Sequence, residues 1–231
     1  MARVNIHCPR CQSAQVYRHG QNPKGRDRLR CCDCHRVFQL TYTYQARKPG
    51  MKELITEMAF NGAGVRDTAR TLKIGSNTVI RTFKKLAPKR ITSSPVTHAD
   101  VAFICELDEQ WSYVGSKARQ HWIWYAYNTK TGGVLAYTFG PRTDQTCREL
   151  LALLTPFNIG MLTSDDWGSY GREVPKNKHL TGKIFTQCIE RNNLTLRTRI
   201  KRLGRKTICF SRSVEIHEKV IGAFIEKHMF Y

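Results

Sequence analysis

Three acids within four residues, Glu106, Asp108 and Glu109, close the stretch that begins with the apolar run Val101-Ala102-Phe103-Ile104-Cys105. A continuous apolar run reads as a strand buried on both faces. A carboxylate at the end of such a strand is fixed by the sheet while the adjoining loop stays open to substrate. Asp165 has a matching setting after Ile159-Gly160-Met161-Leu162-Thr163, and Glu190 falls inside a stretch read as a helix from Cys188 to Leu203. Hard divalent cations need carboxylates that converge from different elements. Two Mg2+ (or Mn2+) ions about 3.5–4 Å apart can neutralise both the attacking and the leaving oxygen when a phosphodiester is hydrolysed or transferred. In this reading Asp108 bridges both ions, Asp165 binds one, and Glu190 brings the third carboxylate across the cleft. At i+3, i+4 and i+7 from Glu190 stand Asn193, Leu194 and Arg197, so an amide and a guanidinium share its face. The plainer alternative for Asp108 is a solvated strand-end acid.

A second set of ligands is made of sulfur. Cys8-Pro9-Arg10-Cys11 and Cys31-Cys32-Asp33-Cys34 are two C-x2-C knuckles with 19 residues between Cys11 and Cys31. That spacing is a zinc ribbon's, and Cys8, Cys11, Cys31 and Cys34 would close a tetrahedron around one structural Zn2+. Cys32 and His35 are competing ligands, but Cys31 with Cys34 repeats the spacing of the first knuckle. Alternating segments separated by Gly20, Pro23 and Gly25 predict a small hairpin between the knuckles. So short a stretch cannot fold on its core alone.

The elements that would present these groups follow in order. Residues 1–48 form the zinc-binding domain. Residues 49–86 read as three helices, Met51 to Asn61, Val65 to Leu72, and one capped by Ser76 that runs through Leu86. The tight turn Lys73-Ile74-Gly75 between the last two makes a helix-turn-helix. Its third helix would expose Asn77, Thr78, Arg81, Lys84 and Lys85 to the major groove of double-stranded DNA. Residues 87–100, with two prolines and several small polar residues, read as a linker. From residue 101 to 231 the order is three strands, a helix, a further strand and then long basic helices. That is the order of an α/β domain of ribonuclease H-like fold.

Composition narrows the partner. Lys and Arg number 38 against 18 Asp and Glu, a net charge of +20 spread along the whole chain. Such an excess implies a polyanionic partner, and its spread favours nucleic acid over a membrane surface. The beginning carries no apolar signal region, and the longest apolar stretch, 150–163, is broken by Pro156, Asn158 and Gly160. The expectation is a soluble, cytoplasmic protein without membrane contact.

The motifs C-P-x-C and C-x-x-C, L-D-E-Q-W-S-Y-V-G, T-S-D-D-W, I-E-R-N-N-L-T-L-R and L-G-R-K-T resemble, over nearly the whole chain, the transposases of the insertion sequence one family. The resemblance implies a DDE transposase that binds the inverted repeats at the ends of its own element, cleaves there and joins the ends to target DNA. It puts the catalytic acids on Asp108, Asp165 and Glu190, with Arg197 as the basic residue beyond the Glu. It also implies a full-length form made by frameshifting between two reading frames, joined here around Lys84-Lys85-Leu86. One departure is Asp165-Asp166 where a single Asp is expected; strand register and Trp167 favour Asp165, with Asp166 as the fallback. Joining two element ends makes a homodimer or higher assembly on DNA the expectation. The competing readings are a DNA-binding regulator without catalysis, for which the first two domains suffice, and a structure-selective nuclease of the same fold.

Overall fold

The computed structural model describes residues 5–23, 25–41, 44–93, 104–204 and 206–230. The chain divides into two compact units, residues 1–51 and 52–231.

In the first unit, β1 (Val16–Gln21), β2 (Asp27–Cys31) and β3 (Val37–Phe38) form an antiparallel sheet in that order. The β1–β2 turn closes through Gly25 N–H donating to the Asn22 carbonyl at 2.9 Å, with Gly25 at φ +73°. Among the described residues its buried apolar cluster is Cys8, Leu29, Cys31 and Phe38. Half of that cluster is thiol, which is too little apolar surface to hold a fold without a cross-link.

The second unit begins one residue into α1 (Met51–Phe60), followed by α2 (Val65–Leu72) and α3 (Ser76–Lys84). Ser76 was expected to cap α3, but it lies inside the helix, and Gly75 is the N-cap without a side-chain bond. These helices are not a detached module: they pack on α7 (Val214–His228) and on the segment after α6 (Gln187–Arg199). Phe60 meets Phe224 edge to face at 5.2 Å. Buried Arg202 donates to the Ala59 carbonyl at 3.0 Å and to Ser211 Oγ at 2.9 Å. Gly62 is required at the turn after α1, because its φ is +83° and a Cβ there would sit 2.9 Å from both Cys209 Sγ and Lys201 Cβ.

The remainder is a five-stranded mixed sheet in the order β6-β5-β4-β7-β8. Its strands are β4 (Ile104–Gln110), β5 (Trp122–Asn128), β6 (Gly133–Gly140), β7 (Met161–Ser164) and β8 (His179–Thr181). β4, β5 and β6 pair antiparallel, while β4–β7 and β7–β8 are parallel. The crossover from β6 to β7 is α4 (Asp144–Leu154), whose Cys147, Leu150 and Leu154 bury against Cys105, Leu107, Trp124 and Leu162. α5 (Gly168–Glu173) adds Tyr170 to that layer. α6 covers the opposite face of β4. No helix among the described residues is long and apolar enough to cross a membrane.

Three sequence-based boundaries need correction. The strand expected to deliver its carboxylate at its end runs on from Ile104 to Gln110, so the acids lie within it; residues 101–103 are outside the described residues. The strand tolerates them because its pleat alternates. Cys105 and Leu107 enter the core, while Glu106 and Asp108 face hydrogen-bond donors on α6. The helix read to Leu203 ends at Arg199; Ile200 is extended and residues 201–203 form a single 3-10 turn. Part of the expected linker is structured: residues 90–92 pair along the free edge of β6, with Thr92 N–H on the Leu135 carbonyl at 2.8 Å and Tyr137 N–H on the Arg90 carbonyl at 3.0 Å. Residues 94–100 lie outside the described residues.

Candidate active site

The parallel pairing of β4 with β7 builds the site. Ile104, Cys105 and Glu106 stand opposite Met161, Leu162 and Thr163. Carried two residues on, the same offset sets Asp108 beside Asp165. Asp108, Glu109 and Asp165 each bring one carboxylate oxygen within 4.8 Å of the other two. Asp166, the fallback, is exposed and outside this group.

α6 is tied to β4 at two points. The Glu106 carboxylate accepts from the Ile189 backbone N–H at 2.5 Å, and so caps the helix N-terminus from the strand. One turn on, buried Asn193 donates through Nδ2 to Asp108 Oδ2, while its Oδ1 lies 2.8 Å from the Tyr125 hydroxyl. Burial raises the Glu106 carboxyl above the usual range. Asp108 is pushed up to about 6, chiefly by burial and further by the charges of Asp165 and Glu190, against the bonds from Glu109 N–H and Asn193. Glu109 is pushed up to about 7 by burial, while Tyr170 and Arg142 pull it down.

Glu190 is not drawn into the acid group. It is exposed on the first turn of α6, with its charge felt at Asp108. Arg197 is half-buried two turns further along, and its charge acts on Tyr125. Glu109, Arg142 and Tyr170 enter the site without having been assigned a role from sequence. Glu109 was visible as one of three clustered acids, whereas Arg142 and Tyr170 meet it only through the fold. The residues fit a hard divalent cation, because Asp108 and Asp165 crowd together, and positive charge between them relieves the repulsion that helps raise Asp108.

In the first unit Cys8, Cys11, Cys31 and Cys34 have their sulfurs within 4.8 Å of one another, with Cys8 to Cys34 and Cys11 to Cys31 each at 3.5 Å. A tetrahedral zinc site with Zn–S near 2.3 Å has sulfur–sulfur edges of about 3.8 Å, so the four thiols fit that ion. Cys32 is exposed and lies outside this group. On α3, Asn77, Arg81, Lys84 and Lys85 are exposed along one face, while Thr78 is half-buried.

Comparison with known proteins matches this architecture along the chain. A family model described as IS1 transposase covers residues 102–231, the InsA C-terminal domain model covers 42–86, and the InsA N-terminal domain model, a zinc ribbon, covers 1–35. The insertion element iso-IS1n protein InsB of Shigella dysenteriae is 93% identical over 131 residues, 57% of this chain and 100% of that protein. The iso-IS1N protein InsA of the same organism is 90% identical over 84 residues, 36% of this chain and 93% of that protein. The IS1 4 protein InsB of Escherichia coli K12 is 46% identical over 147 residues, 63% of this chain and 88% of that protein. With a zinc ribbon and helix-turn-helix of the InsA kind joined to a complete InsB-like α/β region, the chain belongs to the IS1 transposase family, in its fused InsA–InsB form.

Proposed function

We propose that this transposase uses its first 86 residues to bind the terminal inverted repeats of its element, and Asp108, Asp165 and Glu190 of a ribonuclease H-like domain to cleave and join DNA strands. The observation that carries the reading is the β4–β7 register, which sets Asp108, within β4, beside Asp165, the residue just past β7. Bound Mg2+ or Mn2+, two per site, would supply an activated attacking oxygen and neutralise charge on the phosphate. The protein's share is placement. Asn193 and the Glu109 N–H hold Asp108 in one orientation, Glu106 holds the N-terminus of α6 against the sheet, and α6 carries Glu190 and Arg197 on the DNA side. Zn2+ on the four cysteines would hold the ribbon folded. Asn77, Thr78, Arg81, Lys84 and Lys85 would meet the major groove, and the +20 charge would bring the chain to DNA in the bacterial cytoplasm. A homodimer or larger assembly would bring two element ends together before joining them to target DNA.

The test is cleavage and joining of a labelled element end in Mg2+ or Mn2+, with a gel-shift for binding. Asp108→Asn and Glu190→Gln should each lower cleavage by on the order of 10^3 or more with binding retained. Full cleavage by Asp108→Asn would sink the mechanism. Wild-type binding without cleavage would make the protein a regulator, and cleavage without joining would make it a nuclease.

A further inference from the structure

Glu109 lies within 4.8 Å of both Asp108 and Asp165, which by proximity alone would make it a metal ligand. Its own bonds point elsewhere. The side chain is 1% exposed; Oε1 takes the Arg142 guanidinium at both Nε (2.5 Å) and Nη2, and Oε2 accepts the Tyr170 hydroxyl at 2.7 Å. The strand pleat turns Glu109 toward α5, away from the α6 face that Asp108 occupies. To ligate a metal it would have to release a forked guanidinium and a buried phenol, leaving both without their acceptor.

Arg142 continues the chain of contacts. Its guanidinium carbon lies 3.6 Å from the centroid of the Trp167 ring and 5.0 Å from that of Trp122. Trp167 is two residues beyond Asp165, and its backbone N–H donates to Asp165 Oδ1 at 3.1 Å. The buried Trp167 Nε1 has no acceptor among the described residues, so the ring is held by its face. Tyr170 fixes α5, which starts directly after Trp167.

We propose that Glu109 is a positioning residue: through Arg142 and Trp167 it sets the Asp165 loop against β4, and it does not itself bind the metal. The proposal rests on the reading of Asp108 and Asp165 as metal ligands. The measurement is Mn2+ binding to the full zinc-loaded chain by electron paramagnetic resonance, reading both the number of ions and their dissociation constant. Trp167→Leu keeps the Glu109–Arg142 pair in place. It should weaken Mn2+ binding by on the order of tenfold with the number of ions unchanged, and Trp167→Tyr, which keeps an aromatic face, should restore most of the loss. Glu109→Gln and Arg142→Gln should each weaken binding by a similar factor, and their double variant should be no weaker than the worse single one. Unchanged affinity in Trp167→Leu would overturn the clamp. Loss of one ion in Glu109→Gln but not in Arg142→Gln would make Glu109 a ligand and overturn the proposal. Mn2+ binding indifferent to Asp108→Asn would sink the underlying reading, and this one with it.

Discussion

The sulfur cluster and the carboxylate cluster are assembled in opposite ways. The thiols come from two knuckles of four residues each, in a unit whose buried apolar cluster, among the described residues, is Leu29, Phe38 and two of the cysteines themselves. The carboxylates come from positions 57 residues apart, carried by a sheet whose core of Leu107, Trp124, Leu150 and Tyr170 forms on the other side of β4. One cluster makes its fold; the other is mounted on a fold that exists without it. Loss of the metal should therefore unfold the first unit and leave the second standing.

That contrast is broken most directly by chelation. Structural zinc in units of this size supplies about 10–16 kcal/mol of folding free energy. Removing it, or replacing Cys8 or Cys31 by Ser, should leave the first unit open to protease while residues 52–231 stay resistant. A ribbon that remained protected with no zinc by elemental analysis would erase the difference between the clusters.

The carboxylate side is sharpened by comparing neighbours. Asp165→Asn should cut strand cleavage by on the order of 10^3, with DNA binding and melting temperature close to wild type. Asp166→Asn, an exposed position outside the acid group, should stay within a few-fold of wild type. The reverse result would move the second ligand by one residue and would deny that register builds the site.

The clusters also differ in how far sequence reveals them. The cysteines are legible because ligand geometry is encoded in local spacing, four residues at a time. Asp108 and Asp165 are legible because each adjoins an apolar run. Where the first strand ends was less legible, because polar residues on the α6 face break the apolar pattern while pairing continues through Gln110. Helical spacing gave the face of Glu190 but not its distance from the acids. Arg142 and Tyr170 bear no local mark, since their partner is the buried Glu109 carboxylate on another strand. The docking of α1 through Arg202 was hidden in a run of basic residues that composition assigned to DNA.

A smaller effect probes how the mounting is done. Asn193→Leu removes a buried donor from a carboxylate and leaves the leucine facing Asp108. The loss should be about 2–3 kcal/mol, the range for a bond to a charged group, read as a lower denaturant midpoint with an unchanged slope. Mn2+ affinity should fall with it, because Asp108 then holds its proton to higher pH. Unchanged stability would show that α6 is held by Glu106 and by packing alone.

An effect of similar size is a pH dependence, and its sign separates the clusters once more. Asp108 has its carboxyl raised from 3.8 to about 6 by burial, so between those values the folded chain holds a proton that the unfolded chain has released. Stability without divalent metal should therefore fall as pH rises through that window, by about 3 kcal/mol from this group, and Glu109, raised by burial from 4.5 to about 7, should extend the fall toward pH 7. Asp108→Asn should remove its share of that decline, and saturating Mg2+ should oppose it, because the cation favours the ionised carboxylate. The zinc site should respond in the other direction: thiolate ligands compete with protons, so acid weakens the ribbon while it relieves the carboxylates. Melting of zinc-loaded protein at pH 4.5 to 7.5, with and without Mg2+, reads both units at once. If the wild-type and Asp108→Asn transitions of residues 52–231 run parallel across that range, the buried acid carries no such strain.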